Sequence, residues 1–201
     1  QTPTAEQNIL GKLEEMLAQM IVRYGERELY TEEDEEGNEY VVSVATYIQA
    51  ELANDELELQ VPLHKRILVE AVAHAREPEF QAHRYFISHS DAAFSHACTE
   101  LASNRYQLSK YHERMSGLSN PEDIRKVKQA EISDTVGMLV INYKCAVLRD
   151  EMRKLLRSLQ DPALSDPNQY LTIMTAWKEK HEVLQFIEKK EGDRVILPPN
   201  A

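Results

Sequence analysis

From Glu122 to Gln160 the chain runs for close to forty residues without a proline and with a single glycine, Gly137. Apolar side chains return at helical spacing throughout. Ile132, Leu139 and Ala146 stand seven apart, and Met152, Leu155 and Leu159 carry the stripe onward, which is the recurrence of an amphipathic helix. At about 1.5 Å per residue such a helix spans roughly 55 Å, longer than the body of a small domain is wide. A second helical run at 167–190 follows a turn that contains Pro162 and Pro167. The pairing predicts a long helical hairpin that projects from a globular part, and projecting hairpins hold partners.

The location of charge narrows what that partner is. The formal charge of −11 arises almost entirely in residues 26–60, which hold twelve acids and one base, Arg27. The remaining chain balances at 22 acids against 22 bases. Affinity for nucleic acid comes largely from Lys and Arg that displace counterions, and this chain lacks that basic footprint. No direct nucleic-acid binding is expected.

Cys98 and Cys145 are the only cysteines, and both fall on helical segments among apolar neighbours, so neither a disulfide framework nor a CxxC metal site can be assembled. The expected compartment is reducing, hence cytoplasmic. No apolar run reaches the ~18 residues of a membrane span, and no basic-then-apolar leader opens the chain. It opens Gln-Thr-Pro-Thr without an initiating Met, which implies a piece of something longer.

The expected fold class is all-α. The first helix is placed at about Thr4 to Tyr24, with Ile9, Leu10, Leu13, Met16, Leu17, Met20, Ile21 and Tyr24 on one stripe. Residues 27–42 fit either a small β-hairpin or a solvated loop. Ser43 suits the N-cap of a helix over 44–53, and Pro62 the first turn of another over 62–76. A short helical stretch then carries Phe80, Tyr85, Phe86 and Ile87, and Asp91 suits the cap of a helix that runs to Arg105 or beyond. Residues 116–121 turn to Ser, Gly, Asn and Pro, which is loop chemistry. That loop divides the chain into a multi-helix bundle, 1–118, and a long helix with an antiparallel helical hairpin, 119–201. Residues 136–148 are apolar nearly all round, as in a helix buried on several sides, so the middle of the long helix should belong to the bundle.

Candidate chemistry is sparse. The seven histidines His64, His74, His83, His89, His96, His112 and His181 have no Glu three residues before them, so the pairs of di-iron bundles are missing. Neither His112-Glu113 nor His181-Glu182 leads to a second His at zincin spacing. Six glycines form no phosphate-cradling loop and no nucleophile elbow. The acidic run 32–36 lacks the alternation and closing Glu of a calcium loop. No metal, cofactor or small-molecule ligand is expected, and no catalytic residue.

The second arm is more informative. Tyr170, Met174, Trp177, His181 and Leu184 step by four and three, with Ile173 and Ile187 alongside, a seam for packing on the long helix. Each of these residues reads as intramolecular core or as partner contact. Leu171, Val183 and Phe186 fall off the seam, and a two-helix arm cannot bury both its faces on itself, so some apolar surface should stay exposed and mark an interaction site. Trp177 is the only Trp, a residue enriched among interface anchors. The tail Val195-Ile196-Leu197-Pro198-Pro199 is apolar where a terminus is ordinarily polar; it either packs back or binds.

Several segments, taken in order, resemble the C-terminal helicase-binding domain of bacterial DnaG-type primases. These are Ile21-Val22-Arg23-Tyr24-Gly25 closing the first helix, Glu36-Gly37-Asn38-Glu39, Val44-Ala45-Thr46-Tyr47-Ile48, Pro62-Leu63-His64-Lys65-Arg66-Ile67, Tyr85-Phe86-Ile87-Ser88-His89-Ser90-Asp91, and Gly192-Asp193-Arg194-Val195-Ile196-Leu197-Pro198. The resemblance spans nearly the whole chain and rests on helical patterns, not on a catalytic signature. It implies a helical bundle followed by a hairpin, a fold shared with the N-terminal domain of the replicative DnaB-type helicase. It further implies docking on that helicase domain, which brings primase to the replication fork and modulates both enzymes. The family's zinc-binding and polymerase domains have no counterpart in these residues, so this segment is expected to be non-catalytic. The expected contacts lie in 165–201, at Tyr170, Leu171, Met174, Trp177, His181, Leu184, Ile187, Ile196 and Leu197, with the bundle tuning the response. The other readings are a helical adaptor for a different partner, a self-associating domain, or a small metal-dependent helical enzyme.

Overall fold

The computed structural model describes residues 5–103, 121–160 and 167–191. Within them the chain is mostly helical, with one small antiparallel sheet. In chain order these are α1 (Ala5–Tyr24), β1 (Glu28–Glu33), β2 (Glu39–Ser43), α2 (Val44–Asn54), α3 (Pro62–His74), α4 (Ala82–Ile87), α5 (Ala92–Ser103), α6 (Pro121–Ser158) and α7 (Pro167–Glu191). No described helix is long and apolar enough to cross a membrane.

Local chemistry accounts for many of these boundaries. Of the two readings open for 27–42, the chain takes the hairpin: β1 and β2 pair antiparallel, with Thr31 opposite Val41 and Glu33 opposite Glu39. Its turn is held by Asp34, whose Oδ1 accepts from the backbone N–H groups of Glu36 at 2.9 Å and Asn38 at 2.8 Å. Gly37 has a φ of 82°, the left-handed conformation that glycine adopts without steric cost. Ser43 then caps α2 through a capping box: its Oγ accepts from the Thr46 N–H while the Thr46 hydroxyl oxygen accepts from the Ser43 N–H. Asp91 caps α5 by accepting from the backbones of Ala93 and Phe94, both at 3.1 Å. The continuation of α5 expected beyond Ser103 lies outside the described residues.

The chain divides into two compact units, Glu14–Val140, and Ile141–Ala201 together with Gln1–Leu13. The boundary between these units falls inside α6; residues 116–120 of the expected loop lie outside the described residues. A helix continues through a unit boundary as readily as through a core, because its backbone hydrogen bonds are local.

In the first unit Leu17, Ile21, Ile48, Leu52, Leu59, Ile67, Phe86 and Cys98 are sealed from solvent. Gly25 closes α1, its N–H donating to the Ile21 carbonyl at 2.8 Å. A Cβ there would lie 2.6 Å from that carbonyl oxygen and 3.2 Å from the Ala82 Cβ, so only glycine fits where α4 approaches. From Val136 to Val147, buried positions include Val136, Leu139, Val140, Asn142, Tyr143, Cys145 and Val147, as the all-round apolar composition requires. In the second unit Cys145, Met152 and Leu184 form a buried cluster, against which Ile141, Leu148, Trp177 and Ile187 pack.

Candidate interaction surface

Two ion pairs tie α7 to α6: Arg149 to Glu188 at 2.7 Å and Lys180 to Glu151 at 2.6 Å. As the residue number rises on α6 it falls on α7. This alignment lays Leu184, 6 % exposed, into the cluster with Cys145 and Met152. Leu184 is thus committed to packing within the chain, and Trp177 and Ile187 lie partly buried against it. Trp177 stacks on His181 with ring centroids 4.9 Å apart and planes 17° apart, while its Nε1–H is sealed from solvent with no acceptor among the described residues. Met174 and His181 are half-buried, and Tyr170 and Leu171 are exposed. Ile196 and Leu197 lie outside the described residues.

Leu171 and Phe186 are 62 % and 66 % exposed, and Val183 is exposed as well. Leu171, Thr175, Lys178, Glu182 and Phe186 recur every three or four residues and so share the side of α7 turned away from the buried cluster. Exposed aliphatic and aromatic side chains of this size on a regular helix form a surface suited to a protein partner.

Trp177 itself invites a direct test. Trp177→Ala should lower the unfolding free energy by about 3 kcal/mol through lost packing. Trp177→Phe should lower it by less than about 1 kcal/mol, since it keeps much of the ring and removes a donor that has no acceptor. Urea denaturation followed by circular dichroism measures both, and equal losses from the two variants would show that ring packing does not dominate what Trp177 contributes to stability.

Two polar arrangements in the first unit were not singled out in the sequence. Glu14, 1 % exposed, accepts from the Gln60 N–H at 2.9 Å and the Val61 N–H at 2.7 Å, and its Oε1 lies 3.1 Å from His64 Nδ1. It thereby ties down the two residues that lead into α3, whose N-cap residue Val61 supplies no side-chain hydrogen bond. Burial pushes the Glu14 pKa up, but the His64 bond and the two backbone N–H groups outweigh it and hold the carboxyl below its ordinary value. The signal was an acid within the inner stripe, three residues before Leu17 and four after Leu10.

The second arrangement joins α3, α4 and α5. Arg66 Nε donates to Glu70 at 2.7 Å and its Nη1 donates to Asp91 at 2.8 Å, while its guanidinium lies 3.9 Å from the Phe94 ring centroid. The Tyr85 hydroxyl donates to Glu70 at 3.1 Å, and His89 Nε2 lies 3.4 Å from the same carboxylate. The Arg66 bond, with the Phe94 N–H, holds Asp91 below the ordinary carboxylate range. Burial, then the charge of Glu70, pushes the nearby Cys98 thiol up to about 11, so at neutral pH it stays protonated and is no nucleophile. Every charge in this network is answered by another part of the fold. It acts as a brace that holds α3, α4 and α5 together.

Among the described residues no group of three or more His, Cys, Asp or Glu is placed to hold a metal ion. No curated protein and no solved structure matches the chain. Residues 2–195 match the family model described as "Domain of unknown function (DUF8430)", and the chain belongs to that family.

Proposed function

We propose that this chain is a non-catalytic protein-interaction domain that binds through α7. The observation that carries this reading is the exposure of Leu171, Val183 and Phe186 on a helix whose opposite side is already occupied by Cys145, Met152 and Leu184. Burial of an exposed Phe and Leu in an interface contributes about 1.5–3 kcal/mol each, enough to make α7 a recruiting element. In architecture the proposal is a multi-helix bundle followed by a long helix and an antiparallel helical hairpin, a reading that the opposed ion pairs of α6 and α7 support. The partner is the one the sequence resemblance implies, the N-terminal domain of a hexameric DnaB-type replicative helicase. On this reading the domain works in the bacterial cytoplasm at the replication fork, recruiting primase and modulating priming and unwinding.

Titration calorimetry of the chain against the purified N-terminal domain of the replicative helicase tests it. The intact chain should release or absorb heat with a defined stoichiometry. Leu171→Asp combined with Phe186→Asp should weaken binding by at least about 2 kcal/mol while leaving the circular dichroism spectrum and urea midpoint unchanged. No heat from the intact chain rejects the helicase as partner, and concentration-dependent light scattering by the chain alone would identify a second copy as the occupant of this surface.

A further inference from the structure

The β1–β2 hairpin has an open side. An antiparallel ladder alternates between pairs that exchange hydrogen bonds and pairs whose backbone groups point outward. The Asp34 N–H donates to the Asn38 carbonyl at 3.0 Å, so Glu32 with Tyr40 and Tyr30 with Val42 are the bonded pairs that follow. Thr31 with Val41 and Glu33 with Glu39 turn their N–H and C=O groups away from the ladder. On the β1 side α6 already reaches the strand, where the Gln129 side chain donates to the Glu28 carbonyl. On the β2 side Glu39, Tyr40 and Val41 are all exposed, Val41 by 55 %. Among the described residues no backbone hydrogen bond joins Glu39 or Val41 to another element.

A bare strand edge is a template for another strand, and charge decides which strand it accepts. Residues 28–43 hold seven acids and no base, so this edge lacks the lysines that commonly guard one. Glu33 and Glu39 stand opposite each other, a like-charge pair that costs stability across two strands. A second copy of the hairpin would bring the same acids against these, and nucleic acid or an anionic lipid surface is repelled in the same way. A cationic chain is attracted. Tyr40, whose hydroxyl donates to Glu32 across the ladder, adds an aromatic face, 43 % exposed, over which a Lys or Arg side chain can lie.

We propose that the outer edge of β2 pairs with an extended basic segment of a partner protein, which adds a third strand to the sheet. A Lys or Arg of that segment faces Glu39 on one side of the sheet, and another faces Tyr40 and Glu32 on the other side. An aliphatic residue lies beside Val41. The main-chain hydrogen bonds supply affinity, and the acids select the sign of the charge that binds. The hairpin takes this segment whatever α7 binds.

The whole chain, isotope-labelled for nuclear magnetic resonance, is titrated with a short alternating Lys/Val peptide, with its Glu/Val counterpart, and with a Lys/Val peptide N-methylated at every residue. The first should shift the Glu39 and Val41 amide resonances and slow their hydrogen exchange at least about tenfold, with an affinity that falls as salt rises. The Glu/Val and N-methylated peptides should bind at least about tenfold more weakly. Glu39→Lys puts an opposite charge across from Glu33, so the hairpin should keep its fold, yet it should weaken the Lys/Val peptide about tenfold. Val41→Pro removes an outward N–H at an edge position, where proline is tolerated, and should weaken it as much. No binding of the Lys/Val peptide, equal binding of the Glu/Val or N-methylated peptide, or insensitivity to both variants overturns the proposal. Loss of peptide binding in Leu171→Asp with Phe186→Asp would place the peptide on α7 and overturn it too, whereas failure of the helicase domain to give heat leaves it standing.

Discussion

Phe86→Ala is expected to lower the free energy of unfolding by about 4 kcal/mol, the largest loss from any single side chain considered for this fold. Phe86 has no solvent exposure and stands edge-on to two rings, Tyr85 at 5.2 Å and 83° and Phe94 at 5.9 Å and 71°. Such edge-to-face contacts add about 0.5–1.5 kcal/mol to the burial of the ring itself. The cavity would open among α4, α5 and the aromatic brace around Tyr85, where Arg66, Glu70 and Asp91 are held by hydrogen bonds and collapse inward only by breaking them. Phe86→Leu should cost less than half as much, since it restores most of the apolar volume. Urea denaturation followed by far-ultraviolet circular dichroism gives both values. A loss below about 1.5 kcal/mol for the alanine variant would mean that the site refills, and the brace would then be softer than its bonds imply.

Glu14→Ala is expected to cost about 3 kcal/mol at neutral pH, because it strands two backbone N–H groups and an imidazole in a buried site. The same carboxylate links stability to pH. Its folded pKa lies below its ordinary value of 4.5, so the unfolded chain takes up the proton first as pH falls. The Glu14 contribution is fully present above 4.5 and is lost as pH drops through the folded pKa. The gap in stability between the natural chain and Glu14→Ala should therefore be wide at pH 7 and narrow below pH 4.5. A gap that stays constant from pH 7 to pH 3 would show that the carboxylate charge has no part in holding the chain that leads into α3.

Much of the helical content was legible because its signals are short-range. Ser43 announces α2, Pro62 opens α3 and Asp91 caps α5, in each case through groups within three or four residues. The same holds for α6 and α7, whose lengths follow from period and from the placing of prolines. The segment at 27–42 was ambiguous, since its acidic, turn-rich composition suits a solvated loop as well as a hairpin. Its strands are stabilised by pairing with each other and by the edge-on contact of Tyr30 with Tyr47 at 6.3 Å, a partner that local pattern does not reveal.

The candidate surface was legible to a lesser degree. Periodicity separated Leu171, Val183 and Phe186 from the seam, and all three are exposed. Periodicity did not distinguish, within the seam, Leu184 in the buried cluster from Tyr170 at the exposed edge, because the depth of a residue depends on where the partner helix ends and how the two are staggered. That stagger is set by Arg149 with Glu188 and Glu151 with Lys180, contacts about thirty to forty residues apart in the chain.

By itself, then, the sequence determined the mostly helical class, the caps, and the existence of two long helices with more apolar surface than they can hide from solvent, since hydrogen bonds and side-chain period within a helix involve only near neighbours. The tertiary structure alone decided that Glu14 would bind the backbone leading into a helix nearly fifty residues away, that Arg66 would join three helices, and that the division between compact units would fall at Val140 within an unbroken helix. Those outcomes depend on which distant groups meet, and burial makes such meetings obligatory: a charge taken out of water has to find its donors wherever the chain brings them.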